Sequence, residues 1–125
     1  LEEIFPQVKG RYRILKLDSS SVEVQLLAAE SNLRPGNTIS GPTMFELADI
    51  SFYVAVMAFT GSGTSAVTTN VSINFLRKTN LNNLIAISKI KKLGRQLVFG
   101  DVVIVSEDRS EIIANGIFTY SLPSC

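Results

Sequence analysis

The chain of 125 residues contains no histidine and no tryptophan, and its one cysteine, Cys125, is the last residue. Without histidine there is no Ser-His-Asp or Cys-His catalysis and no histidine-ligated metal, so no metal site is expected. Any proton transfer falls to Asp, Glu, Lys, Tyr or water. A lone cysteine forms no internal disulfide, which points to a reducing compartment, and a cytoplasmic location is the expectation. An excess of one charge is also missing: 12 Lys+Arg against 11 Asp+Glu leave a net charge of +1, so neither a nucleic-acid partner nor disorder is expected. The opening Leu1-Glu-Glu-Ile-Phe-Pro6 carries two acids and no apolar core, unlike a signal peptide. With 46% hydrophobic and 18% charged residues, residues 1–125 read as a single globular domain that buries roughly two thirds of its unfolded surface.

What the chain does have is one long apolar stretch, Gly41 to Phe59. Pro42 suits the first helical position, where a missing N–H costs nothing, and Thr43-Met-Phe-Glu46 has capping-box spacing one register further in. From there the apolar side chains, among them Met44, Leu47, Ile50, Phe52, Val54 and Met57, run round the whole helix instead of forming one stripe. That pattern describes a helix covered on every side. A membrane span is not expected, because Glu46, Asp49 and Ser51 break the run and leave less than the roughly 20 residues a bilayer needs. Thr60-Gly-Ser-Gly63 supplies the glycine stop.

Either side of this helix the pattern is β. Residues 11–17 and 22–29 flank the polar cluster Asp18-Ser-Ser-Ser21 and read as a hairpin. Residues 30–41, with a Pro-Gly turn signal, form the loop into the helix. After the helix, Val67, Val71, Ile73 and Phe75 alternate with Thr68, Asn70, Ser72 and Asn74, giving one apolar face and one face of hydroxyls and amides. Further runs at 84–92, 97–105 and 112–120 are separated by short turns, which implies antiparallel neighbours. The order is ββαββββ, an α+β architecture in which a six-stranded antiparallel sheet wraps a central buried helix.

Asp49 stands out in that helix, because a carboxylate in a low-dielectric place must be paired, hydrogen-bonded or chemically employed. Its structural alternative is satisfaction by a neighbouring hydroxyl or amide. Glu46, three residues earlier, has a sufficient reason in the capping box; Asp49 has no such local role. Gly41 at the helix start is able to direct an N–H at a developing oxyanion, or it serves only as the N-cap.

Gly41 followed eight residues later by an acid on a buried helix, the strand ending Asn74-Phe-Leu-Arg77, and Lys92-Leu-Gly-Arg95 before another strand together resemble the hotdog-fold acyl-CoA thioesterases. Within these the chain is most similar to the phenylacetic-acid-degradation (PaaI-like) type. The resemblance spans residues 20 to 122. It implies hydrolysis of acyl-CoA thioesters with no cofactor beyond the coenzyme A of the substrate, in homodimers that usually pair into tetramers. By position, Gly41 matches the backbone oxyanion donor, Asp49 the acid acting as nucleophile or general base, and Thr68 a hydroxyl that assists the attacking water. The His-Gly-Gly usual before the helix is Ser40-Gly41-Pro42 here. The family's upstream loop asparagine falls on Arg34 unless Asn37 substitutes after a loop shift. Arg77, Lys78, Lys91, Lys92 and Arg95 are candidates to meet CoA phosphates, although each is individually explained as solvated surface charge. Phe52, Tyr53 and Met57 are candidate pocket walls or ordinary core.

Eight helical residues rise about 12 Å, whereas an oxyanion donor and a nucleophile must both lie within roughly 3 Å of the reacting group. If Gly41 and Asp49 both act, they come from different subunits. The alternative to an enzyme is a module of the same fold that holds acyl-CoA without hydrolysing it. A hotdog dehydratase is disfavoured, since those commonly use a histidine.

Overall fold

The computed structural model describes residues 10–18, 21–61 and 66–122. Among the described residues the strands are β1 (Tyr12–Leu17), β2 (Val22–Leu26), β3 (Leu33–Arg34), β4 (Thr38–Ile39), β5 (Val67–Phe75), β6 (Leu84–Leu93), β7 (Leu97–Ser106) and β8 (Ile112–Ser121), and the α-helix, α1, is Gly41–Thr60. Six strands form one sheet in the order β1-β2-β6-β7-β8-β5. Every neighbouring pair is antiparallel, as the short connections require. The hotdog architecture expected from the sequence is borne out.

Two segments differ from the sequence expectation. The second strand stops at Leu26 instead of residue 29, because the Ala28 N–H turns away from the ladder to the Asn83 side-chain oxygen at 2.9 Å. The loop before the helix is also more ordered than expected: a 3₁₀ turn at Glu30–Asn32 leads into the β3–β4 ribbon. Its turn carries Gly36 at φ 100° and Asn37 at φ 63°, a left-handed region that glycine and asparagine enter at low cost. The cluster at 18–21 and the glycine stop at 60–63 lie partly outside the described residues, and Cys125 and the first six residues wholly outside.

The helix lies on one face of the sheet. Paired register positions put Val98 opposite Tyr120, Gly100 opposite Phe118 and Ile104 opposite Ala114. With Val22, Val24, Leu26, Leu84 and Ala86 these residues form the buried core against Leu47, Phe52 and Val56. Each Val, Leu, Ile and Phe among them contributes about 1.5–3 kcal/mol by leaving water. Phe52 stacks on Phe118 with ring centroids 5.4 Å apart. Gly100 makes that approach feasible, since a Cβ there would collide with the Phe52 ring and the Lys89 carbonyl. Ser51 is fully buried yet satisfied, sharing a 2.7 Å hydrogen bond with Ser88 and donating to the Ala86 carbonyl at 3.3 Å.

The helix start is set differently from the sequence reading. Ser40 is the N-cap, its hydroxyl accepting from the Thr43 N–H at 3.2 Å, and Gly41 and Pro42 are the first two helical residues. No Thr43–Glu46 capping box forms. Glu46 instead accepts a 2.5 Å hydrogen bond from the Tyr12 hydroxyl and lies 3.7 Å from the Arg11 guanidinium. At the other end Gly61, φ 68°, donates to the Met57 carbonyl, the expected left-handed stop. At 20 residues α1 is long and apolar enough to cross a bilayer by length and composition, so length does not exclude a span. Packing against the sheet is what makes it a core helix.

Candidate active site

Asp49 is half-buried on the flank of α1, at the end of the sheet where β5 begins. Its Oδ1 accepts two hydrogen bonds, from the Tyr120 hydroxyl at 2.6 Å and from the Thr68 hydroxyl at 2.9 Å. The Tyr120 hydroxyl also lies 3.2 Å from the Asp49 carbonyl oxygen. Among the described residues Oδ2 receives no hydrogen bond.

The position of Thr68 depends on a β-bulge. Simple alternation through β5 sets Thr68 on the face opposite Val71, Ile73 and Phe75. In the fold the pairing slips between Thr68 and Asn70, so Thr68 pairs with Tyr120 and Val71 with Phe118, on the helix side in both cases. The extra residue, Thr69, moves one hydroxyl from the outer face to the side of the sheet where Asp49 lies.

Tyr120, 2% exposed, is the site residue that the sequence reading did not single out. In sequence it is one more alternating residue of the last strand, and only the strand order brings its hydroxyl to the helix. Burial, then the negative charge of Asp49 and the hydrogen bond to it, push its pKa far above the ordinary value of 10.0. The phenol therefore remains a proton donor. Tyr53 is buried behind it, ring centroids 6.1 Å apart, and belongs to the wall of this cluster. Burial raises the Tyr53 pKa as well.

Gly41 lies apart from that cluster. It opens on a pocket of about 480 Å³ lined by Arg34, Thr38, Ile39, Met44, Phe75, Leu76, Arg77 and Lys78, an apolar floor with three cations at its rim. Gly41 does not have the positive φ that favours glycine, and a Cβ would meet the Phe75 ring at 3.6 Å, an ordinary contact. The backbone thus tolerates a side chain here, and what its absence provides is an unobstructed N–H without an intrahelical acceptor.

The expected substrate-binding residues divide between sites. Arg77 lines the Gly41 pocket and lies 3.4 Å from Glu111. Ser40 is engaged in capping. Asn37 is exposed at the tip of the β3–β4 turn and does not line that pocket, whereas Arg34 does. Lys92 and Arg95 line a second pocket of about 480 Å³ with Gly94, Gln96, Leu97 and Phe99. Leu97 pairs with Ser121 and Ser121 with Val67, so this pocket sits at the Thr68 end of the sheet.

The family model described as the thioesterase superfamily matches residues 36–113. A crystal structure assigned as a thioesterase, from Silicibacter sp., superposes with a TM-score of 0.88 at 41% identity, covering 99% of this chain and 87% of that one. Zebrafish thioesterase superfamily member 2 shares the fold with a TM-score of 0.86 at 20% identity, over 98% of this chain and 92% of that one. The Escherichia coli PaaI protein from the phenylacetic acid degradation operon shares it with a TM-score of 0.85 at 22% identity, over 95% and 85%. No curated protein sequence matches significantly. The chain belongs to the thioesterase superfamily, on the hotdog fold, and its chemistry is that of a thioester hydrolase.

Proposed function

We propose that this protein hydrolyses acyl-CoA thioesters in sites shared between two copies of the chain. The observation that carries this reading is the separation of the two halves of the machinery. Asp49, with Thr68 and Tyr120, occupies one end of β5, and Gly41 with its cationic apolar pocket touches Phe75 at the other. Strand β5 ends the sheet and pairs only with β8 among the described residues. A two-fold axis near Val71 that set two β5 edges antiparallel would bring the Thr68 end of one strand to the Phe75 end of the other. Each dimer would then hold two composite sites, and the exposed Phe99 and Ile117 on the outer face of the sheet offer a surface for pairing dimers into a tetramer.

In the proposed reaction the Gly41 N–H polarises the thioester carbonyl, with the helix N-terminus favouring negative charge on its oxygen. Asp49 of the other subunit takes a proton from a water whose oxygen bonds to the carbonyl carbon, or itself attacks that carbon, in which case loss of the thiolate leaves an acyl-aspartyl anhydride that water hydrolyses to the free acid and the restored carboxylate. Collapse of the tetrahedral adduct breaks the C–S bond, and the thiolate of CoA departs with the electron pair. A thiolate needs no strong general acid, which agrees with a chain without histidine. Arg34, Arg77 and Lys78 from one subunit, and Lys92 and Arg95 from the other, line the approach for phosphate groups. The reaction calls for no further cofactor, and its compartment is the cytoplasm. A non-catalytic acyl-CoA-binding module is the second reading, favoured by Pro42, which leaves the helix start one N–H donor short.

Free-thiol release from a panel of acyl-CoAs by wild type and Asp49→Asn tests the enzyme. Wild type that binds the panel without releasing thiol would support the binding module instead. Shared sites are tested by mixing Asp49→Asn chains with Gly41→Val chains: one intact site per heterodimer should restore activity above either parent, and no gain would contradict a site built from two subunits.

A further inference from the structure

We infer that Tyr120 is a positioning residue for thioester hydrolysis, occupying Asp49 Oδ1 so that Oδ2 is the oxygen that reacts. The inference rests on the reading of Asp49 as the reacting acid. Two hydroxyl donors converge on Oδ1, yet they differ in how firmly they are held. Thr68 is exposed on the edge strand, whereas the Tyr120 ring packs at 62° against Phe52 with centroids 5.2 Å apart and lies nearly parallel to Tyr53. Its hydroxyl bridges the Asp49 side chain and the Asp49 backbone carbonyl, at 2.6 and 3.2 Å. That double contact ties the carboxylate to its own backbone and fixes the rotation of the group. A buried phenol beside a carboxylate does not surrender its proton, so Oδ1 remains an acceptor throughout turnover. When Oδ2 takes the proton from water, Oδ1 becomes the carbonyl oxygen of the acid and still accepts both hydrogen bonds. Neither donor has to move during the step, which keeps reorganisation small.

The experiment compares kcat and KM for thiol release across pH in wild type, Asp49→Asn, Tyr120→Phe and a protein carrying 3-fluorotyrosine at position 120. Losing a hydrogen bond to a charged group should lower kcat about 10- to 100-fold with KM little changed. The acid limb of kcat should move to higher pH in Tyr120→Phe, because the carboxylate loses a donor. It should move to lower pH with 3-fluorotyrosine, whose more acidic hydroxyl donates more strongly. A merely structural tyrosine would not shift the limb in opposite directions. If Asp49→Asn is as active as wild type, the reading of the site itself fails. If Asp49→Asn is inactive while Tyr120→Phe and the fluorinated protein keep the wild-type kcat and acid limb, this inference alone is overturned. Should Tyr120→Phe fail to fold, the near-isosteric fluorinated protein decides the matter, an unmoved limb again overturning it.

Discussion

Thr68 and Tyr120 face each other across the β5–β8 pair and place both hydroxyls on one oxygen, Asp49 Oδ1, at 2.9 and 2.6 Å. Residues 19 and 71 positions away in the chain thereby hold one carboxylate against the sheet through one of its two oxygens.

Replacing that carboxylate separates chemistry from folding. Asp49→Asn retains a side-chain oxygen to accept from Tyr120 and Thr68, so its melting temperature should stay close to wild type while thiol release falls on the order of 100-fold or more. Asp49→Ala should lose activity and also about 1–3 kcal/mol of stability, because the buried Tyr120 hydroxyl loses its stronger acceptor. Equal melting temperatures for the two variants would contradict this account of the hydrogen bonds.

The bulge in β5 makes a separate prediction. Deleting Thr69 removes the bulge but keeps Thr68 opposite Tyr120, and plain alternation then leaves Thr68 two positions from Val71 on the same, helix-facing side. Thiol release by the deletion variant should stay close to wild type, as in Thr68→Ser, whereas Thr68→Ala should fall roughly 10-fold. A deletion variant as impaired as Thr68→Ala would contradict this placement of the hydroxyl.

Gly100 is expected to be among the least replaceable residues of the core. A Cβ on it meets the Phe52 ring and a backbone carbonyl, and the helix cannot retreat without opening the stack on Phe118. Gly100→Ala should cost about 1–3 kcal/mol or more in chemical denaturation. A change below 0.5 kcal/mol, on the order expected of surface sites, would mean that Phe52 repacks freely.

The buried Ser51–Ser88 pair should behave non-additively. Either serine changed alone to alanine leaves its partner with a lost hydrogen bond, costing about 1 kcal/mol or more, while the double variant should cost less than the sum. A double-mutant cycle in urea measures the coupling.

The turn between β7 and β8 titrates at low pH. The Ser110 hydroxyl and N–H and the Ser106 hydroxyl donate to Asp108 and lower its pKa from 3.8 to about 2. A carboxyl depressed in the folded state stabilises it above the unfolded value, and that contribution is lost as pH falls through about 2. Asp108→Ala should therefore flatten the pH dependence of stability below about pH 4. Glu23 is depressed in the same sense, chiefly by its 2.7 Å hydrogen bond from Arg109, so Glu23→Gln should remove a further part of the acid sensitivity.

Much of the architecture is legible in the chain because it rests on local pattern. Apolar residues all round 41–59, the Gly61 stop and four short β runs after the helix specify the layers without reference to anything distant. The helix start is ambiguous in the sequence: Ser40, Thr43 and Glu46 all have capping chemistry, and only the approach of Tyr12 from β1 draws Glu46 away. Asp49 is conspicuous as an acid without a local role. Its partners could not be chosen from the sequence, since every strand offers hydroxyls, and a single inserted residue in β5 reverses which ones face the helix.

Residue type and short-range period are enough to specify the fold class, the absence of histidine chemistry and the acid on the central helix. Only the tertiary structure brings Tyr120 to Asp49, turns Thr68 inward and gives Gly41 the pocket on which it opens. Those relations depend on strand order, on a bulge and on the meeting of the β3–β4 ribbon and the end of β5 at the helix start, and none of these is a property of neighbouring residues.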